Sequence, residues 1–127
     1  MVEGIKIAGV GQHLSAHFVE TELSCQCCGR LLIHPYLINK LEAFRQLAGK
    51  PVLVNSGYRC PAHNRAVGGE TNSYHLKGMA ADIQVPGVAV AELSRLAEQA
   101  GFGGIGVYQS QGFVHVDVRD YSARWRG

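Results

Sequence analysis

The sequence predicts an α+β protein, a small and mostly antiparallel sheet with helices packed on one side. Three observations carry this expectation. Two stretches, around 35–48 and 88–100, repeat apolar residues at three- and four-residue spacing, as an amphipathic helix does. Four shorter stretches, at 51–57, 80–85, 104–108 and 113–118, are rich in Val, Ile and Ala or alternate apolar with polar residues, as strands do. The last two are joined only by "QSQG", a link that suits an antiparallel hairpin, whereas parallel strands need a long crossover.

The elements follow in order. Residues 1–30 read as irregular, with an edge strand at 4–10 and one helical turn in "ETELSC" capped by Thr21. Pro35 suits the first turn of the next helix, whose Leu37, Ile38, Leu41, Phe44, Leu47 and Ala48 recur with helical period, and Gly49 ends it. "PVLVNSGYR" predicts a short buried strand running into a turn at Ser56-Gly57. Residues 60–79 predict a long loop with one helical turn near 61–67, and a loop of that length in a compact domain is usually functional. "AADIQVPG" is a strand stopped by Pro86-Gly87. In the second helix Val90, Leu93, Leu96, Ala97 and Ala100 share one face, and Gly101 closes it.

Composition narrows the class of protein. The 127 residues are expected to form one domain, 1–127, and 46% hydrophobic against 17% charged residues excludes a disordered chain. The net charge is +2 and no run of Lys and Arg reaches five residues, so neither nucleic acid nor an anionic membrane is expected as partner. The basic tail, Arg119, Arg124 and Arg126, reads as a solvated end, and a monomer is expected. No apolar run approaches a membrane span. The start, "MVEGIKIAGVGQHL", makes a poor secretory signal, so cytoplasmic synthesis is expected, with release by lysis as one route out.

The 4 cysteines are Cys25, Cys27, Cys28 and Cys60. Cys25-x-x-Cys28 has the spacing of half a zinc site, which would need all the cysteines, or a histidine such as His34 or His63, to be complete. A disulfide and inert thiols stand beside that reading.

The ionisable residues of two strands ask for an explanation. In "FVHVDV", alternation puts His115 and Asp117 on one face and Val114, Val116 and Val118 on the other. Taken alone, that is a strand with one wet face. In "SYHLKGMAADIQV", Asp82 sits in an apolar frame, where a carboxylate must be paired or bind a metal. His75, Asp82 and His115 together make a set suited to catalytic zinc, which takes three protein ligands and leaves one position for water. Spacing alone leaves His13, His17, His34 and His63 as competitors.

"SGYRCPAHNRAVGGETNSYHLKGMAADI" with the later "GFVHVDV" resembles the zinc D-Ala-D-Ala carboxypeptidase family, in its small single-domain branch of murein peptidases and phage-type cell-wall hydrolases. The pattern Ser-x-His-x-x-Gly-x-Ala-x-Asp and a distant His is met by Ser73, His75, Gly78, Ala80, Asp82 and His115, and the likeness covers about residues 12–127. It implies a Hedgehog/D-Ala-D-Ala peptidase-like fold and one catalytic zinc ion on His75, Asp82 and His115. It also implies that Arg59 faces the substrate, as both a catalytic and a substrate-binding residue, with Ser73 beside the metal or substrate. Several relatives carry a glutamate three residues before the second histidine, where this chain has Gly112. Asp117 is then expected either as the substitute general base or as an acceptor for the other nitrogen of a ligating histidine. Tyr121, Tyr108 and Trp125 are candidates for the cleft wall, with packing against the sheet the plainer expectation for Trp125.

The implied activity is hydrolysis of a peptide bond of bacterial peptidoglycan through a zinc-bound water, as a D-Ala-D-Ala-type carboxypeptidase or a murein endopeptidase, with release by lysis to act on the cell wall as in a phage or prophage product. The alternative is a non-catalytic, zinc-stabilised module that holds peptidoglycan or a partner.

Overall fold

Helix α2 spans Pro35–Ala48 in the computed structural model, which describes residues 6–7 and 12–127. Pro35 sits at its start, where no intrahelical N–H is needed, and His34 Nδ1 accepts the Tyr36 N–H at 3.1 Å. Gly49 ends it in the left-handed region, and its N–H returns to Arg45 O. Helix α4, Val90–Ala100, ends in the same way at Gly101. The two helices pack on each other, and α4 also lies on the sheet. Their buried faces, Leu37, Ile38, Leu41 and Phe44 on α2 and Leu93, Leu96, Ala97 and Ala100 on α4, follow the predicted periodicity, but Leu47 in the last turn of α2 is 46% exposed and does not join the core.

The sheet has the order β3-β4-β6-β5-β7, with β3 Leu53–Ser56, β4 Ala80–Gln84, β5 Gly104–Tyr108, β6 Phe113–Asp117 and β7 Ala123–Arg126. All its pairs are antiparallel except β5 with β7. This is the expected α+β arrangement. Because side chains alternate along a strand, Ala81 and Ile83, Val114 and Val116, and Ile105 all point into the core under the helices. Asp82, His115 and Asp117 therefore share the other face, and register sets Asp82 directly opposite His115 on the neighbouring strand.

Outside the sheet, a second small pair joins β1 (Lys6–Ile7) to β2 (Arg30–Leu31). The rest of the edge strand expected at 4–10 lies outside the described residues. A one-turn helix, α1, covers Glu20–Leu23, but the chain enters it at Val19, whose N–H goes to Glu22 Oε1 at 2.9 Å, so Thr21 is inside the turn and not its cap. The 60–79 segment holds helix α3, Pro61–Ala66, and a single 3-10 turn, Tyr74–Lys77.

Two further expectations are corrected. β3 is an edge strand and not a buried one: it has β4 as its neighbour on one side, and Leu53 is 45% exposed. A short apolar run does not distinguish the two cases, since Val52 is buried while Leu53 faces out. The basic tail is more than a solvated end: Arg124 and Arg126 are exposed, but Arg119 is half-buried and the segment is paired. It supplies β7, which covers the free edge of β5, with Ala123 N–H donating to Gly103 O and Gly127 N–H to Val107 O. Arg124 there pairs with Glu98 of α4. Among the described residues no helix is long and apolar enough to cross a membrane.

Candidate metal centre

The 3-10 turn that carries His75 is built by its flanking residues. Ser73 Oγ accepts the His75 N–H at 3.1 Å and caps the turn. Gly78 closes it at φ 68°, where a Cβ would lie 2.3 Å from Leu32 O, so only glycine lets the chain pass from this turn into β4. His75 is buried, and its Nδ1 lies 2.7 Å from Gly57 O. A carbonyl can only accept, so Nδ1 carries the proton and Nε2 keeps its lone pair. That lone pair faces Asp82 Oδ1 at 3.2 Å.

His115 repeats the arrangement from β6. Its Nε2 is 2.8 Å from Asp117 Oδ2, and its Nδ1 is 3.1 Å from Asp82 Oδ1. The ionised Asp117 accepts the Nε2 proton, which turns the Nδ1 lone pair towards Asp82. Three lone-pair atoms, His75 Nε2, Asp82 Oδ1 and His115 Nδ1, thus converge, and the ligand atoms of these residues all lie within 4.8 Å of one another. Acceptors in contact repel unless a cation lies between them. A proton can play that part: burial works against a charged His115, but its hydrogen bonds to Asp117 and Asp82 outweigh burial and raise its pKa, so a protonated Nδ1 donates to Asp82 wherever no metal ion competes for it. Burial likewise opposes ionisation of Asp82, yet His115 and His75 hold its carboxyl well below the usual carboxylate range. The site attracts positive charge, and two imidazoles with one carboxylate are a donor set that a divalent ion such as zinc accepts.

Asp117 is fully buried and engaged on both oxygens. Arg119 Nε donates to Oδ1 at 2.8 Å and Nη2 to Oδ2 at 2.7 Å, and the Arg119 N–H adds a bond of 3.2 Å to Oδ1. Burial would raise the Asp117 pKa, but Arg119 and His115 hold it well below the usual range. Space for this carboxylate comes from β5: a Cβ on Gly104 would lie 2.3 Å from each Asp117 oxygen. Sequence reasoning missed Arg119 as part of this cluster, although the alternation His115, Asp117, Arg119 marks it.

Arg59 stands on the other side of Asp82. Its Nη2 donates to Asp82 Oδ2 at 3.2 Å, Nε to Ser56 Oγ at 3.0 Å and Nη1 to Asn64 Oδ1 at 3.2 Å. Arg59, Ser73, His75, Asp82 and His115 all line one cavity of about 650 Å³. Trp125 and Tyr108 line it as well, joined by a 3.0 Å bond from Trp125 Nε1 to the Tyr108 hydroxyl. Trp125 lies on β7 with its ring 5.2 Å from that of His115, so it is a cleft residue as well as part of the packed tail. Tyr121 is exposed and bonds to Arg119.

The competing histidines are elsewhere. His34 caps α2, His17 pairs with Glu42, His13 bonds to Ser15 O, and the backbone N–H of His63 donates to Cys60 Sγ. Gly112 is the closing residue of the β5–β6 hairpin at φ 77°, with its N–H on Tyr108 O. A glutamate at that position would be strained, which is a physical reason for its absence.

Residues 16–117 match a family model described as Peptidase M15. The chain belongs to the Peptidase M15 family. The family match takes in Arg59, Ser73, His75, Asp82, His115 and Asp117 and stops short of Arg119 and the β7 strand. Over 93 residues the chain is 37% identical to the peptidoglycan L,D-endopeptidase MepK of Escherichia coli (strain K12), covering 68% of this chain and 51% of that relative. The probable MepK of Haemophilus influenzae is 34% identical over 86 residues, covering 64% of this chain and 46% of the relative. The zinc D-Ala-D-Ala carboxypeptidase of Streptomyces albus G is 41% identical over 64 residues, 50% of this chain and 25% of the relative. The chain spans about half the length of the MepK relatives it matches.

Proposed function

We propose that this M15 chain is a zinc-dependent peptidase, one domain over residues 1–127, that hydrolyses a peptide bond of bacterial peptidoglycan. The observation that carries the reading is the convergence of the lone pairs of His75 Nε2, Asp82 Oδ1 and His115 Nδ1 at the wall of a solvent cavity. The relatives, a peptidoglycan L,D-endopeptidase, a probable second one and a zinc D-Ala-D-Ala carboxypeptidase, suggest the substrate class.

His75, Asp82 and His115 would hold the ion. When bound, zinc supplies Lewis acidity towards a carbonyl oxygen and acidifies the water it holds. The remaining work belongs to the chain. Gly57 O fixes the His75 tautomer through Nδ1, and Asp117 fixes that of His115 through Nε2. Asp117, with both oxygens engaged by Arg119, acts as a positioning residue and not as the base that removes a proton from water. Arg59 orients Asp82 from behind and puts a guanidinium on the cavity wall, where negative charge on a substrate oxygen would be stabilised. Trp125 and Tyr108 add aromatic surface to the cavity wall for the peptide.

The test is incubation of zinc-loaded protein with purified muropeptides, read by chromatography of the products. Wild type is expected to release a cleaved peptide, and His75→Ala and His115→Ala are expected to abolish it. The absence of a carboxylate at Gly112 favours one other reading, a zinc-stabilised module that binds peptidoglycan without turnover. Zinc and muropeptide binding with no product over a long incubation would establish that reading and remove the enzymatic one.

A further inference from the structure

We propose that Cys25, Cys27, Cys28 and Cys60 form a second, structural metal site that takes one zinc ion as four thiolates. The geometry points to it directly. The Sγ atoms of all these cysteines lie within 4.8 Å of one another, although Cys60 is far away in sequence. Cys25 and Cys27 are 3.5 Å apart at sulfur, and Cys27 and Cys60 are 3.3 Å apart. A tetrahedron with zinc–sulfur bonds of about 2.3 Å has edges of about 3.8 Å, close to these separations. A disulfide needs about 2.05 Å, and the cysteines are all free.

The surroundings are those of a thiolate site. The Cys60 N–H points at Cys25 Sγ at 3.4 Å and the His63 N–H at Cys60 Sγ at 3.5 Å, so backbone donors offset the negative charge that four thiolates accumulate. The loop is bent to bring its sulfurs together: Gly29, at φ 73°, donates its N–H to Cys25 O, and Cys25 N–H donates to Arg30 O. Cys25 and Cys60 are buried, whereas Cys27 and Cys28 are exposed, which gives an ion a path in from solvent. His34 and His63, the other ligands the sequence allowed, are not needed to complete the set.

The position of the site gives it a purpose. Cys25, Cys60 and Tyr58 form a small buried cluster apart from the main core. The Tyr58 N–H donates to Leu23 O and Gln26 Nε2 to Asn55 O, and the ion would add a further tie between the 25–29 loop and the 57–60 segment. That segment supplies Gly57 O to His75 Nδ1, gives the Arg59 N–H to His75 O, and carries Arg59 itself. A metal at Cys60 would therefore hold the residues that support His75 and Asp82, in the way a metal replaces missing apolar burial in a small fold.

The proposal does not depend on the peptidase reading, and the experiment keeps the two apart. Zinc-loaded protein purified under reducing conditions is expected to hold about two zinc ions per chain, one of them on the thiolates. The triple variant His75→Ala, Asp82→Ala, His115→Ala is expected to keep one, and to show thiolate-to-metal absorption in the near ultraviolet when loaded with cobalt. In wild type, a mercurial that modifies thiols is expected to release one equivalent of zinc to a chelating dye, which needs no variant to fold. Cys27→Ser and Cys28→Ser, at exposed positions, are expected to lose that absorption. A folded triple variant that holds no metal while all its thiols react with a colorimetric disulfide reagent would overturn the proposal. So would a disulfide between any of these cysteines in the zinc-loaded protein.

Discussion

His115 Nε2 lies 2.8 Å from Asp117 Oδ2, and Asp117 is a carboxylate with no exposed surface that is held by Arg119 on both oxygens. The pair decides which nitrogen of His115 faces the cavity. With the Nε2 proton committed to Asp117, Nδ1 is left as a donor to a metal beside Asp82. Asp117→Ala should therefore weaken zinc binding by about 10- to 100-fold, measured by competition with a chelator. Asp117→Asn, whose amide oxygen still accepts the Nε2 proton, should lose less. Unchanged zinc affinity with activity lost in both variants would instead make Asp117 the general base.

Arg119 is expected to matter as much for folding as for the site. Its guanidinium is the countercharge of a buried carboxylate, and removal of one partner leaves a charge without compensation. Arg119→Ala should cost about 3–5 kcal/mol in urea unfolding of the metal-free protein. Adding Asp117→Asn to it should recover part of that loss, because the unpaired charge goes with it. Additive losses in the double variant would mean that the pair is not coupled.

These two residues also mark how far the sequence could be read. Period-2 alternation in "FVHVDV" put His115 and Asp117 on one face, and the helical periods of α2 and α4 gave the buried faces, because both patterns are direct images of backbone geometry. The meeting of His75, Asp82 and His115 was legible only through the family likeness, since three elements must fold together before their atoms converge. Arg119 continues the same alternation but reads as part of the tail, and β7 was not legible. The tail looks like a solvated basic end until the free edge of β5 is there to pair with it. The edge position of β3 was hidden for a similar reason, as an apolar run does not record how many neighbours a strand has.

Glycines in β5 test the same geometry from the opposite side. A Cβ on Gly104 would sit 2.3 Å from both Asp117 oxygens, and one on Gly106 would sit 2.4 Å from Trp125 Nε1. Gly104→Ala is expected to displace the Asp117 carboxylate and lower zinc affinity as Asp117→Ala does. Gly106→Ala is expected to shift the indole from the cavity wall, weakening muropeptide binding while zinc affinity stays within about threefold of wild type, or ~0.6 kcal/mol. Equal effects of the two variants on zinc would contradict this division of roles.

Glu42 provides a pH dependence remote from the candidate metal centre. It ties the segment before α1 to helix α2, accepting from Ser15 Oγ at 2.5 Å and the His17 N–H at 2.7 Å, with His17 Nδ1 at 2.8 Å. Burial alone would raise its pKa, but the bonds from Ser15 and His17 outweigh burial and lower it. A carboxylate with a lowered folded-state pKa adds stability above its unfolded value of about 4.3, and that stability is lost as pH falls through the folded value. Glu42→Gln should thus be less stable than wild type at pH 7, by about 1 kcal/mol. The gap should close as pH falls from about 6 towards 3, because protonation takes from wild type what the variant already lacks. Measuring urea midpoints of both metal-free proteins across this range cancels the contributions of Asp82 and Asp117, which they share. Parallel curves would mean that Glu42 does not hold the segment through its charge.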